Sequence, residues 1–151
     1  MAGMRALGRV YNPVFGGTSA TEVSLKGCSG VGILALASST ATTSLAFTAA
    51  TSYGGSTTTV TPGNGFGQPS VWYEQTAAGT AAWTKQTASW ASNVLTIGAT
   101  SGYVSYVDFL VSELADTFDY LKVTPVNATI VLLPYDLTVQ RTPANLAIIS
   151  A

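Results

Sequence analysis

Four of the chain's seven acidic residues crowd into YVSYVDFLVSELADTFDYLKV, residues 103–123: Asp108, Glu113, Asp116 and Asp119. Carboxylates grouped in this way can do two kinds of chemistry. A pair flanking a glycosidic bond divides the work of acid and base or nucleophile. A loop of oxygen ligands turning on a glycine can hold calcium. No glycine lies between 103 and 123, which speaks against calcium; a glycosidase pair depends on the fold and stays open at this point. The same acids also have a structural reading. Alternation sets Asp108 in line with Val104, Tyr106 and Leu110, on the less apolar side of a strand. Ser112 reads as the cap of one helical turn, SELAD (112–116), with acids near the positive end of its dipole. Asp116 and Asp119 flank the return to a strand, where Asx side chains satisfy turn backbone. The expectation is that the acids punctuate a β-fold, and no catalytic residue is assigned.

The remaining chemistry is sparse. The chain has no histidine, and so lacks the commonest general base and the commonest metal ligand. Cys28 is the single cysteine, in KGCSGVG beside an apolar run; it reads as a small residue at a strand edge, with no disulfide and no zinc site to build. GNGFG (63–67) resembles a dinucleotide loop, but Gln68-Pro69 leads into a strand where a phosphate would need a helix N-terminus. GGTSATE (16–22) lacks the lysine of a phosphate loop, and NAT (127–129) matches a glycosylation sequon without a secretory signal before it. No metal and no cofactor is expected.

Short apolar or alternating runs, separated by Gly, Pro, Asn and Ser, position these residues. They predict strands at EVSLK (22–26), VGILALA (31–37), TSLAFT (43–48), TTTVT (57–61), SVWYEQT (70–76) and AWTKQT (82–87). Further strands are expected at NVLTI (93–97), YVSYVDFLV (103–111), FDYLKVT (118–124), TIVLL (129–133) and DLTVQ (136–140). TPGNGFGQP (61–69) reads as a loop. The expected fold is all-β: one antiparallel β-sandwich or jelly-roll-like domain over 21–140, with extended arms at 1–20 and 141–151. In the hairpin around Gly79-Thr80, an even-length symmetric loop sets Glu74 opposite Lys85 and Thr76 opposite Trp83. That register gathers Trp72, Glu74, Trp83 and Lys85 on one face.

Composition narrows the partners. Charged residues are 9% of the chain and hydrophobic residues 47%, with a net charge of −1. An average soluble domain carries roughly 25% charge, so charge contributes little protection against association here. The six basic residues are scattered, which argues against nucleic acid. No apolar stretch follows Arg5 and Arg9 as in a signal peptide, and VGILALA is far short of the ~20 residues that cross a bilayer. No membrane partner is expected, and synthesis in a cytoplasm is.

Three blocks carry a family resemblance. EVSLKGCSGVGILALAS (22–38) resembles the opening of a group of tailed-bacteriophage virion proteins, in which a strand ending in a polar-Gly or polar-Tyr step leads into an apolar strand. SVWYEQTAAGTAAWTKQ (70–86) is similar to the group's central hairpin. The segment YVDFLVSELADTFDYLKVTPVNATIVLLPYDLTVQRTPANL (106–146) resembles its closing block: an acidic turn, an aromatic-Tyr-apolar-basic-apolar strand, an apolar strand and a Pro-bearing tail. The turn of the central hairpin lacks the group's Ser-Asp-Asp-Gly, and the tail lacks its Arg-rich ending. The resemblance implies a capsid decoration (cement) protein in the virion, partnered by the major capsid protein and by copies of itself, as a homo-oligomer such as a trimer. A head–tail or tail component, or a carbohydrate-binding β-sandwich module using Trp72, Trp83, Trp90 and the tyrosines, are the alternatives. Candidate partner contacts are Arg9, Tyr11, Pro13 and Phe15 in RVYNPVF (9–15), Trp72 and Trp83, and Arg141 and Pro143 in VQRTPANLAII (139–149).

Overall fold

The computed structural model describes residues 13–76, 80–98 and 101–136. Its strands, in chain order, are β1 (Val14–Gly17), β2 (Thr21–Ser24), β3 (Gly30–Ala37), β4 (Thr43–Ala50), β5 (Thr57–Thr59) and β6 (Val71–Gln75). They continue with β7 (Thr84–Thr87), β8 (Trp90–Ala91), β9 (Val94–Ile97), β10 (Val104–Leu110), β11 (Tyr120–Val126) and β12 (Ala128–Tyr135). Two 3-10 turns, Pro62–Asn64 and Val111–Glu113, complete the described elements. All pairings are antiparallel. Sheet A runs β1-β12-β3-β10-β6-β7 and sheet B runs β2-β11-β4-β9-β8, with β5 on β4. The expected β-sandwich is the fold.

The two sheets meet through alternate residues. Val31, Ile33 and Ala35 of β3, Ile130 and Leu132 of β12, and Val107 and Phe109 of β10 face Leu45, Phe47 and Ala49 of β4 and Leu121 and Val123 of β11; all of these are fully buried. Phe47 and Phe109 stack across the interface with centroids 5.9 Å apart. Each buried Leu, Ile or Phe contributes on the order of 1.5–3 kcal/mol relative to exposure. The chain changes sheet at Asn127, in the left-handed region (φ 56°), a conformation that asparagine tolerates better than most residues. Its side-chain amide donates to the Thr42 carbonyl (2.9 Å) and its own carbonyl accepts the Ser38 N–H (2.9 Å), so the corner between β11 and β12 is tied down.

Several expectations change. Val14–Gly17 pairs with β12 as an edge strand, so part of the anticipated N-terminal arm is sheet; Val14 turns into the core opposite Leu132, which draws the backbone in. The remainder of that arm before Pro13, the arm 141–151, and most of DLTVQ lie outside the described residues. The hairpin register is shifted by one residue: Tyr73 faces Lys85, and Glu74 faces Thr84. The closing pair leaves residues 75–83, an odd-length connection, so the symmetric even loop does not apply. A one-residue shift sends Glu74 and Lys85 to opposite faces. The expected helical turn SELAD is instead a 3-10 turn over Val111–Glu113, and Ser112 is not its cap. Glu113 does the capping work from inside the turn by accepting the Leu110 N–H at 2.8 Å.

Candidate functional site

The outward side of sheet A is the most unusual surface of the domain. In an antiparallel sheet, residues directly opposite each other share a face. One row therefore crosses all six strands: Phe15, Val131, Leu34, Tyr106, Tyr73 and Lys85. Beside it runs Thr129, Leu36, Val104 and Gln75. On the other flank lie Leu133, Gly32 and Asp108, then Tyr135, Gly30 and Leu110. Phe15 is 74% exposed, and Leu36, Tyr73 and Leu110 are exposed as well; Trp83 (47%) immediately precedes β7.

Local chemistry explains how aromatic rings lie against this face. Gly30 and Gly32 occupy outward positions of β3, where a side chain would collide with Tyr135 and Tyr106 respectively. A Cβ on Gly32 would come within 2.7 Å of the Tyr106 ring. The missing side chains thus make room for neighbouring rings to lie against the backbone, the close approach that glycine in a strand permits. Tyr135 Oη donates to Asp108 Oδ1 at 2.6 Å, pinning its ring. Burial and the hydrogen bond to Asp108 hold the Tyr135 phenol well above its ordinary range, and burial plus the same carboxylate raise that of Tyr106. Burial also pushes the Glu113 carboxyl up, helped by Asp108 and opposed by the Leu110 N–H.

The four acids fall into two pairs: Asp108 acts on Glu113, and Asp116 and Asp119 border one depression. Asp108 is spent on Tyr135, and Glu113 on Leu110. Asp119 holds backbone: its N–H donates to the Ala50 carbonyl (3.3 Å) and its carbonyl accepts the Leu25 N–H (2.8 Å). Asp116 is exposed and, with Asp119, borders an open depression of about 430 Å³ lined otherwise by Val111, Ser112, Leu114, Ala115 and Phe118. Among the described residues no group of three His, Cys, Asp or Glu stands close enough to hold a metal. The glycine loop 61–69 packs over this turn: Phe66 meets Phe118 at 4.9 Å, and the Gly67 N–H donates to the Glu113 carbonyl at 2.8 Å. GNGFG is a packing loop.

A second depression, about 300 Å³, lies between the sheets' edges and is lined by Phe15, Ala20, Thr21, Glu22, Tyr53, Gly54 and Lys122. Both carboxylate oxygens of Glu22 accept the Gly54 N–H (3.2 Å each), so the acid holds a turn against β2.

Of the sequence-predicted contacts, Phe15 lies on the sheet A face, Pro13 precedes it exposed, and Trp83 is exposed beside it. Trp72 is a correction: it is 7% exposed and belongs to the core, because Tyr73 pairs with the outward Tyr106 and alternation turns its neighbour Trp72 inward. Trp90 packs on Phe47 (5.3 Å) and donates its indole N–H to the Pro69 carbonyl (2.8 Å). Arg9, Tyr11, Arg141 and Pro143 lie outside the described residues. Cys28 is buried, its thiol donating to the Leu25 carbonyl (3.1 Å) and pushed up by burial. Sequence reasoning missed the outward row. The available signal was that GVGILALA and ATIVLLPY are apolar at both parities, the pattern of strands covered on two sides.

No helix among the described residues is long and apolar enough to cross a membrane. Compared with known proteins, the chain matches no family model, no curated protein and no solved structure.

Proposed function

We propose that the chain is a structural assembly protein, a capsid decoration (cement) protein of a tailed-phage virion that works through repeated contacts with the major capsid protein and with its own copies. One observation carries the reading: a domain whose core is already closed between two sheets keeps a second apolar surface on the outside of sheet A, from Phe15 to Tyr73. Contiguous exposed apolar surface of this kind marks a contact site. The low charge supports the same reading, because charged side chains are depleted at the centres of interfaces. Repetition over a shell then converts modest single contacts into strong retention.

The test is a count of the chain in purified particles of the phage that encodes it, by quantitative mass spectrometry and cryo-electron microscopy. Copies in proportion to the shell lattice support decoration. A handful of copies at one vertex assigns the chain to the tail or head–tail junction, and none in the particle overturns the proposal. Deleting residues 1–12 tests the arm without cutting β1, and reduced retention on shells is the expected result.

A further inference from the structure

We propose that two copies of this chain pair through sheet A, outer face against outer face, leaving the outer face of sheet B for other contacts. The inference deepens, and rests on, the assembly reading above by naming the partner of one surface. Sheet A offers six strands side by side, with β3 and β12 eight residues long. At ~4.8 Å between strands and ~3.3 Å per residue, its face covers roughly 600 Å² before side-chain relief is counted. A standard stable interface buries about 800 Å² per partner. One face of this domain therefore comes close to what a dimer needs.

Area and charge favour a copy as the occupant. Tyr106 and Tyr135 fill the space over Gly32 and Gly30, so their rings add apolar area to the middle of the face. Among the described outward positions of the paired strands, Lys85 on β7 is the cation and Asp108 on β10 the anion. These cancel, so like faces meet without net repulsion. Glu113 borders Asp108 but turns back to the Leu110 N–H. A two-fold contact uses the same patch on both copies, as self-complementary apolar and charged groups require. Stacked sheets sit about 10 Å apart, a spacing the outward Leu, Val and Tyr side chains can fill.

The experiment is sedimentation equilibrium of the full chain across the micromolar range, with Leu36→Lys and Leu110→Lys on the sheet A face and Val126→Lys on the outer face of sheet B as control. Circular dichroism and thermal melting establish that each variant is folded; both leucines are exposed, and two variants guard against one failing to fold. The expected result is a dimer that either leucine variant weakens about tenfold or more, the scale of a central interface residue, while Val126→Lys leaves it intact. A monomer at every concentration overturns the pairing, as does a trimer, which this closed two-fold contact cannot build. A dimer broken by Val126→Lys and spared by the leucine variants also overturns it. A monomer that still fills shells removes this inference and leaves the assembly reading standing; a dimer absent from particles does the reverse.

Discussion

The outer faces of the two sheets are built from the same backbone pattern and carry opposite surfaces. Across sheet A the central row reads Phe15, Val131, Leu34, Tyr106, Tyr73, Lys85. Across sheet B the corresponding rows read Glu22, Lys122, Thr48, Thr59 and Val126, Ser44, Thr96. Opposite the core residues, β4 and β11 carry Ser44, Thr48, Tyr120, Lys122 and Thr124, with Ala46, Ala50 and Val126 as the apolar members of that outer set. β3 and β12 are apolar on both parities. Folding the domain alone needs only the inner parity. The outer parity of sheet A therefore answers to something beyond the fold, and that is the physical basis for reading the chain as an assembly component.

This comparison can be sharpened from the inside outward. The inner faces ought to behave alike: Phe47→Ala from sheet B and Phe109→Ala from sheet A each remove one ring of a stacked pair and should each cost about 3–5 kcal/mol in denaturant unfolding. A loss below about 1 kcal/mol from either change would show that its ring is not buried between the sheets. The next effect separates the outer faces. Gly32→Val forces the Tyr106 ring off the sheet and should cost about 1–3 kcal/mol. Its counterpart on sheet B, Ala46→Val beside Thr124 and Val94, should stay within about 0.5 kcal/mol. Tyr135→Phe deletes a hydrogen bond to a carboxylate that is only partly buried, so a loss of about 1 kcal/mol is expected by thermal melting.

The smallest effect is one of pH. Burial raises the carboxyls of Glu113 and Glu74 in the folded chain. An acid whose folded pKa is raised binds its proton more tightly in the native state, so its contribution is present below the unfolded pKa and is lost as pH rises through the folded value. A Glu74→Gln/Glu113→Gln double variant should therefore flatten the decline in melting temperature from mildly acidic to neutral pH, since glutamine can still accept the Leu110 N–H. An unchanged slope would mean that neither group is desolvated in solution.

Fold class was legible because Thr, Val and Tyr runs broken by Gly and Pro have few other solutions, and ten of the expected strands recur with small changes of boundary. What was not legible had local causes. β1 is four residues with two glycines, and becomes a strand only because Phe15 and Val14 find Val131 and Leu132, more than a hundred residues away. β8 is two residues long, held by Leu95 and Val94. The hairpin failed on the parity of its loop, which no side chain announces, and that single slip put Lys85 on the face opposite Trp72 and Glu74. In the acidic segment Glu113 reaches back to Leu110, which depends on a turn capped two residues earlier than Ser112 suggests.

The central claim is that the outer face of sheet A is covered when the protein is at work. Hydroxyl-radical footprinting of the assembled protein against the dilute chain reads this directly, using Phe15, Leu36, Tyr73, Trp83 and Leu110 on and beside that face, with Val126 and Tyr53 on the side of sheet B for comparison. The account predicts that assembly protects the sheet A set more strongly than the comparison pair. Equal labelling of the sheet A set in both states, or protection confined to Val126 and Tyr53, would contradict it.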